Sequence, residues 1–523
     1  MIFVCISYRL AILMVFEESS AVKVVPDQGG VIRKADIVDR NGSILATSIT
    51  TASCYADPSV IIDINDAAIK LSKIRELPKT DIIRQKLNDK TKHFVWITRH
   101  VTPQLREKIM DLGIPGINFQ KDYKRIYIHG NLFSHIIGCS DIDGNGVSGI
   151  EKKFNNQLVI SNDTKKKLIL SLDLRIQSII HEELQKNVRK FKAVGGNAIL
   201  ISTSGEIIAM VSLPDFDPND VAKTTSINMF NRNTLGVFEP GSTFKILNVA
   251  IALDSGAARL DSMFDATVPI KLGRYTISDF RGKNRMLSLV EAFVFSSNIA
   301  SVQIARQFGF DTQERYMMNF GVMEKIHLEI PEIGPPIIPS IWNNAATTVS
   351  YGYGVSISPI HLLSIVTSIV NDGIKVWPTL LRNGARHTDE QIISKRTSAI
   401  VRELMGAVIR YGTGRKAGVD GIDIIGKTGT SYKIHGRGYG NENKRSRITT
   451  FIGGFPGNKP KYLLLVMLDD PKPIEGTHGF ATAGWNVAPM AHDIFKRVIP
   501  ILDDGIHNKQ ESILQVTKYL NLN

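Results

Sequence analysis

The chain has 523 residues, 43% of them hydrophobic and 22% charged, which is long enough for two or more globular domains. Its net charge of +13 comes from scattered lysines and arginines without an aromatic-interleaved basic patch, so we predict no nucleic-acid binding. Three cysteines without Cys-x-x-Cys spacing and twelve histidines without a His-Glu-x-x-His pattern predict no metal site, and nothing in the sequence implies a cofactor.

The first apolar stretch covers residues 2–16. At 15 residues it is shorter than the roughly 20 that cross a bilayer as a helix. No basic region precedes it, and Glu17 and Glu18 follow it, so it is also a poor secretory signal. One interpretation is a short amphipathic helix that lies on the next domain.

Residues 17–165 combine short strand-like runs with two helical stretches, which predicts an α+β domain. The strand-like runs cover residues 31–38 and 94–98, and the helical periodicity covers residues 65–75 and 104–112. A Gly-Asn-Gly turn at residues 144–146 and a polar stretch at 163–167 mark the end of this domain.

The second predicted domain, residues 166–505, opens with a strand from residue 168 and a helix over residues 175–191. Two hairpins are predicted, one from residues 198–201 and 207–211 and one from residues 449–455 and 462–468. A long helical middle separates them, which favours an α/β domain with an antiparallel sheet flanked by helices. A basic, glycine-rich loop is predicted at residues 432–447, and residues 506–523 are predicted to be a peripheral tail.

Residues 242–245 read Ser-Thr-Phe-Lys and follow Glu-Pro-Gly, which ends the preceding segment and places Ser242 near a helix start. Residues three apart share a helix face, so Lys245 can meet the Ser242 hydroxyl. A serine needs a base to become a nucleophile, and a lysine becomes a base when burial or a second cation lowers its pKa. A capped core helix is the alternative for an isolated motif, and Ser20 with Lys23 also matches the pattern.

Residues 296–298 read Ser-Ser-Asn and follow an apolar helical pattern. The triplet can simply cap the next helix near Ile299. Its functional interpretation makes Ser296 a proton relay between Lys245, Lys427 and the leaving amine, with Asn298 bonded to a substrate amide. The triplet at residues 226–228 has the same pattern outside this context.

Residues 427–430 read Lys-Thr-Gly-Thr after a β-branched run that predicts a strand. Gly429 allows another backbone to approach closely, and an ordinary β-bulge is the alternative. The functional interpretation is a peptide that pairs with this strand, while Lys427, Thr428 and Thr430 hold its terminal carboxylate.

These three motifs, in this order, form the signature of serine acyl-transfer enzymes that use a lysine base. Together with Tyr-Gly-Tyr-Gly at residues 351–354, they make the chain resemble a class B penicillin-binding protein, and most closely its division-specific peptidoglycan D,D-transpeptidases. The first domain adds Asp39-Arg40-Asn41-Gly42 and Gly149-Ile150-Glu151, which resemble motifs of the family's elongated pedestal.

The resemblance implies a penicillin-binding transpeptidase fold behind a dimerisation-type pedestal. It implies that Ser242, Lys245 and Ser296 are catalytic, with the amides of Ser242 and Thr430 as oxyanion hole. It further implies that the substrate is bound by a second set of residues, Asn298, Lys427, Thr428, Gly429 and Thr430. The substrates would be peptidoglycan pentapeptide stems, and β-lactams would acylate the same serine.

The resemblance also implies that residues 1–16 are part of a single membrane anchor whose upstream half the sequence lacks. The catalytic domain would then lie in the periplasm, on the outer face of the inner membrane. The implied partners are a polytopic membrane glycosyltransferase and other division proteins.

Three other functions share the motifs. A β-lactamase needs a deacylating base and has no pedestal, and a β-lactam sensor should carry several membrane spans. An elongation-specific transpeptidase has the same chemistry, and Glu239 with the Tyr-Gly-Tyr-Gly run favours the division-specific type.

Overall fold

The computed structural model describes residues 32–160, 166–273, 275–340, 342–384, 389–433, 446–502 and 515–521. The predicted anchor at residues 1–16, most of the predicted loop at 432–447, and residues 506–514 and 522–523 of the predicted tail lie outside the described residues. Across the described ranges, no helix combines the length and the hydropathy that crossing a membrane requires.

The N-terminal domain is built on a five-stranded sheet in the order β3-β2-β1-β5, with β4 also paired to β2. Only β1 and β5 run parallel, and the other pairs are antiparallel. The strands are β1 Asp36–Val38, β2 Ile44–Ala56, β3 Val95–Val101, β4 Ile117–Tyr127 and β5 Lys167–Ile169. The helices are α1 Ile64–Ser72, α2 Thr80–Leu87, α3 Pro103–Met110, α4 Ser134–Ile137, α5 Gly149–Lys153 and α6 Asn155–Leu158.

The C-terminal domain contains a second five-stranded sheet, entirely antiparallel, in the order β12-β13-β14-β6-β7. Its strands are β6 Gly195–Ser202, β7 Ile207–Leu213, β12 Ile425–Tyr432, β13 Arg447–Phe455 and β14 Tyr462–Asp469. Two small two-stranded antiparallel sheets pair β9 Ile270–Leu272 with β10 Tyr275–Ile277, and β8 Met263–Asp265 with β11 Met286–Ser288.

The helices of this domain are α7 Leu174–Lys190, α8 Ser226–Met229, α9 Lys245–Asp254, α10 Leu289–Val294, α11 Asn298–Phe308, α12 Phe310–Asn319, α13 Trp342–Val349, α14 Pro359–Val370, α15 Lys395–Tyr411 and α16 Val487–Val498. Short 3₁₀ helices are formed by Gly241–Phe244 and by Gln515–Tyr519, among others.

Helices cover both faces of the second sheet. Successive strand residues point to opposite faces, so neighbouring residues of one strand show what packs on each face. On β6, Ala198 and Leu200 pack into a core cluster with α7 and α16. Their neighbours Ile199 and Ile201 pack into a different cluster, which contains α9, α10, α11, α14 and α15. The predicted antiparallel sheet flanked by helices is therefore confirmed.

One part of the N-terminal domain, which includes β1, the end of β4 and α5, shares its hydrophobic core with the C-terminal domain. Ile37, Tyr127 and Ile150 belong to the same buried cluster as the helical layer around α9. By contrast, helices α1–α3 pack on the far ends of β2 and β3 around a separate cluster that includes Cys54, Leu71 and others. The N-terminal domain thus has two parts. One part shares its hydrophobic core with the C-terminal domain, and the other, around α1–α3, has a core of its own.

Two elements differ from the sequence-based expectation. The strand predicted from the β-branched run at residues 422–425 begins only at Ile425, and it then runs through the Lys-Thr-Gly motif as expected, without a register shift against β13. The end of the tail is not peripheral, because Val516 is 1% exposed and packs into the cluster of the helical layer.

Candidate active site

Ser242 lies in the 3₁₀ turn Gly241–Phe244, which runs directly into α9. The turn starts at Gly241, whose φ of +58° lies in the left-handed region that glycine tolerates. The Gly241 amide donates to the Gly352 carbonyl at 3.0 Å and fixes the entry to the turn. Side chains three apart eclipse in a 3₁₀ helix, so this turn brings Ser242 and Lys245 to the same side of the backbone.

Lys245 is 1% exposed at the first position of a buried helix. Its Nζ donates to Ser296 O at 2.6 Å, to Ser296 Oγ at 3.2 Å and to Asn298 Oδ1 at 2.7 Å. Within the described part of the chain, no hydrogen bond joins Nζ to the Ser242 hydroxyl. The second motif therefore holds the lysine amine through three hydrogen bonds.

Ser296 is in the left-handed region, with φ of +62°, in the short connection between α10 and α11. Its neighbour Ser297 is the N-cap of α11, accepting from the Ala300 amide at 3.0 Å. The capping interpretation and the functional one are therefore compatible, because different residues of the triplet serve them. The positive φ at Ser296 turns its hydroxyl toward the two lysines while Ser297 starts the next helix.

Lys427 is fully buried on β12, and its Nζ donates to Ser296 Oγ at 2.9 Å and to Thr428 O at 3.1 Å. The same Nζ lies 5.8 Å from the centre of the Phe293 ring. Ser296 Oγ thus accepts from two lysines that come from different motifs. A hydroxyl has two lone pairs and one proton, so the Ser296 proton stays available for donation.

Burial lowers the pKa of Lys245 from 10.5 to about 7, against the opposing charge of Asp279. Burial also lowers the pKa of Lys427 well below its usual range, and the charge of Lys245 lowers it further. The sequence analysis named burial and a second cation as the possible causes of a lowered lysine pKa, and for Lys245 the cause is burial. Two positively charged ammonium groups on one hydroxyl repel each other and are poorly hydrated in a buried site. One of the two lysines therefore readily loses its proton at neutral pH.

Gly429 permits the approach of the turn that carries Ser242. A Cβ added at Gly429 would lie 2.9 Å from Thr243 Cγ2 and 3.1 Å from Pro240 O. On the same strand, Ser431 Oγ donates to Glu239 O at 2.9 Å. The close approach of a second backbone, and not a bulge, explains the glycine.

The two threonines of β12 have partners on the other side of the strand. Thr428 Oγ1 lies 2.5 Å from Thr413 Oγ1, and Thr430 Oγ1 accepts from the Ala483 amide at 3.2 Å. Thr428 is buried, whereas Thr430 is half-buried. Thr430 is therefore the more accessible of the two hydroxyls predicted to bind a carboxylate.

Asp279 is a site residue that the sequence analysis missed. Its carboxylate accepts from Ser297 Oγ at 2.6 Å, from the Asn298 amide at 2.5 Å and from the Ile299 amide at 3.0 Å. It therefore holds the start of α11 and the Ser-Ser-Asn loop in place, where a carboxylate also suits the helix dipole. Asp279 follows β10 in a stretch without a motif, so no signal in the sequence distinguishes it from other aspartates.

Aromatic side chains from the segment after β10 and the segment after β14 meet next to Asp279. Phe280, next to Asp279, contacts Phe480 edge-on at 6.4 Å between ring centres. The guanidinium of Arg281 lies 4.3 Å from the centre of the Phe480 ring, which stacks near Trp485 at 6.2 Å. Phe280 is 69% exposed, so this contact lies at the protein surface.

Family comparisons match both domains. Residues 196–496 match the penicillin binding protein transpeptidase domain, and residues 33–169 match the penicillin-binding protein dimerisation domain. Together the matched ranges cover most of the chain and contain every candidate site residue described above.

Individual relatives extend over both domains. The chain is 32% identical over 496 residues to a probable peptidoglycan D,D-transpeptidase FtsI of Caulobacter vibrioides, covering 92% of this chain and 83% of that protein. It is 29% identical to the peptidoglycan D,D-transpeptidase FtsI of Escherichia coli K12, covering 83% and 79% of the two chains. Penicillin-binding protein 2X of Streptococcus thermophilus has a similar fold, with a TM-score of 0.71, 19% identity and coverage of 90% and 80%.

Proposed function

The chain belongs to the penicillin-binding proteins, as a class B enzyme of the division type, and we infer from this that it cross-links peptidoglycan stem peptides as a serine D,D-transpeptidase. The observation that supports the proposal most is that two buried lysines donate hydrogen bonds to the same serine hydroxyl. Lys245 and Lys427 come from separate motifs and meet at Ser296 Oγ, beside the turn that carries Ser242.

In the first step neutral Lys245 takes the proton of Ser242, and Ser242 Oγ attacks the carbonyl of the penultimate D-alanine. The amides of Ser242 and Thr430 stabilise the oxyanion, at a place where a helical turn already favours negative charge. Ser296 then passes a proton from the lysine pair to the nitrogen of the terminal D-alanine. The C–N bond breaks, and the acyl group stays on Ser242.

In the second step the side-chain amine of a neighbouring stem attacks the acyl-enzyme. The amine loses its proton through the same lysines, and Ser242 Oγ receives one as it leaves. Asn298 binds the amide of the donor stem, while Lys427 and β12 from Thr428 to Thr430 bind its carboxylate end. β-Lactams imitate that end and acylate Ser242, and the acyl group blocks the second step.

The acylation rate should depend on pH through Lys245. Burial lowers the pKa of this lysine to about 7, and its neutral form is the base. Below pH 7 the second-order rate constant for acylation by a penicillin should therefore fall about tenfold per pH unit, and it should level off above pH 8. Stopped-flow acylation between pH 5.5 and 9 measures this, with circular dichroism at each pH as the control. A rate that is constant over this range would contradict the assignment of Lys245 as the base.

We propose further that the enzyme works at the division septum, anchored in the inner membrane with its catalytic domain in the periplasm. The relatives that carry the name FtsI support this role. A contact between the two sequence features that favoured the division-specific type also supports it. The Gly354 amide of the Tyr-Gly-Tyr-Gly run donates to Glu239 Oε1 at 2.7 Å. A membrane glycosyltransferase and other division proteins would be its partners.

Depletion of the protein from its own cells should produce filaments with stalled septa, and a fluorescent fusion should collect at mid-cell. Wild-type protein supplied in trans should restore division, whereas the Ser242→Ala protein should not. Rounded cells with signal along the side wall would favour the elongation-specific alternative. Rapid turnover of penicillin by the purified protein would instead indicate a β-lactamase.

A further inference from the structure

The last described segment of the chain, residues 515–521, lies against the helix that leads into the Ser-Ser-Asn motif. Ser288 Oγ donates to Tyr519 O at 2.8 Å, and the Asn521 amide donates to Glu291 Oε1 at 3.1 Å. Both contacts reach the N-terminal turn of α10. Val516 is 1% exposed, and its amide donates to Glu403 Oε2 of α15 at 3.3 Å. We call residues 515–521 the C-terminal brace.

The brace completes the bonding of a buried carboxylate. Glu291 is 3% exposed and accepts from the Ser288 amide at 3.0 Å in a capping box. Arg285 donates to both of its oxygens, at 2.7 and 3.0 Å. Burial alone would raise the pKa of Glu291, but these hydrogen bonds and that of Asn521 lower it. Removal of the brace takes one donor from this buried anion and one acceptor from the capping serine.

Helix α10 connects this end of the network to the reacting groups. It has six residues, all buried, and is therefore about 9 Å long. At its other end the Ser296 amide donates to Phe293 O at 3.2 Å, and the Ser297 amide donates to Ala292 O at 2.9 Å. The position of Ser296 is thus set directly by the position of α10. So short a helix has little stability of its own, and its packing determines where it lies.

We propose that the C-terminal brace is a positioning segment for the transpeptidase reaction, which sets the place of Ser296 between Lys245 and Lys427 through α10. This inference rests on the proposed function, since Ser296 is taken as the proton relay. The described hydrogen bonds of the brace reach α15 and the start of α10, and none of them involves Ser242, Lys245 or Lys427. A displacement of about 1 Å at such a group is enough to reduce a rate by about 100-fold.

The test compares the full chain with a chain truncated before Gln515. The truncated protein should stay folded, acylate at least about tenfold more slowly with fluorescent penicillin, and show a shifted pH midpoint of acylation, because Ser296 contacts both lysines. A synthetic peptide of residues 513–523 should restore both the rate and the midpoint in a saturable way. The same peptide with Val516→Asp should not.

Full-length variants decide the matter if the truncated chain does not fold. Val516→Asp places a charge at the buried contact, and Gln515→Asp places the same charge on the exposed neighbouring residue. Slow acylation with a shifted midpoint in Val516→Asp alone supports the proposal. If the pH midpoint of acylation is unchanged in every folded variant, the proposal is overturned, even where the amount of active protein falls. If the wild-type protein itself takes up no penicillin, the proposed function fails instead.

Discussion

Replacement of Ser242 by alanine should abolish covalent labelling by fluorescent penicillin. The lysine pair and the binding strand would remain, but no oxygen would be placed to form the acyl bond. Loss of the nucleophile in a serine acyl-transfer enzyme reduces turnover by about 10⁶-fold, so the label should fall below detection on a gel. Mass spectrometry of the wild-type protein should find the penicilloyl adduct on the peptide that contains Ser242.

The chain offers two matched controls for this experiment. Ser20 and Ser226 stand in copies of the first and second motif patterns, outside the wider sequence context of each motif. Alanine at either position should leave labelling at the wild-type level. Label that persists on the Ser242→Ala protein, or an adduct that maps to Ser20, would show that a different serine is acylated.

Replacement of Lys245 by methionine should reduce acylation by about 10²- to 10⁴-fold, the usual contribution of a general base. Methionine has a similar volume and suits a position that is 1% exposed, so the protein should keep its fold. The rate that remains should lose its rise around pH 7, because the titrating group is gone. Rapid-quench acylation at pH 6 and pH 8.5 measures both effects.

Lys416→Met is the matched control for Lys245→Met, because Lys416 lies over the Trp485 ring and belongs to no described hydrogen bond of Ser296. It should acylate at close to the wild-type rate with the same pH midpoint. A second variant, Lys245→Arg, keeps the charge but has no accessible neutral form, so it should also be slow. Near-normal acylation by either Lys245 variant would identify another group as the base.

Much of the fold followed from local patterns. The helix at 175–191 and the two hairpins were predicted because their periodicities are strong and their turns short, and they appear as α7 and as the pairs β6–β7 and β13–β14. The strand through Lys427 was also predicted, but it begins at Ile425 and not at the start of the β-branched run, because its pairing with β13 begins there. The packing of Val516 was missed, since a seven-residue segment has no periodicity to reveal its partner.

The motifs indicated which side chains to bring together, but not how they are joined. The motif interpretation placed Ser296 between Lys245 and Lys427, but nothing in the sequence predicts the left-handed backbone of Ser296, with φ of +62°, in the connection between α10 and α11. Asp279 was missed because its partners lie 18 to 20 positions away and it belongs to no motif. Spacing along the chain reveals contacts within one element, whereas these contacts join separate elements.

The buried lysines make the folding equilibrium depend on pH. In an unfolded chain lysines titrate near 10.4, whereas burial lowers the pKa of Lys245 to about 7 in the folded protein. Between these values the unfolded state binds more protons, so the free energy of unfolding rises with pH across this window and is lower below it. For Lys245 alone, the difference is on the order of 5 kcal/mol, comparable with the whole stability of a small domain. The hydrophobic layers on the two faces of the sheet therefore have to supply the stability that the catalytic lysines take away.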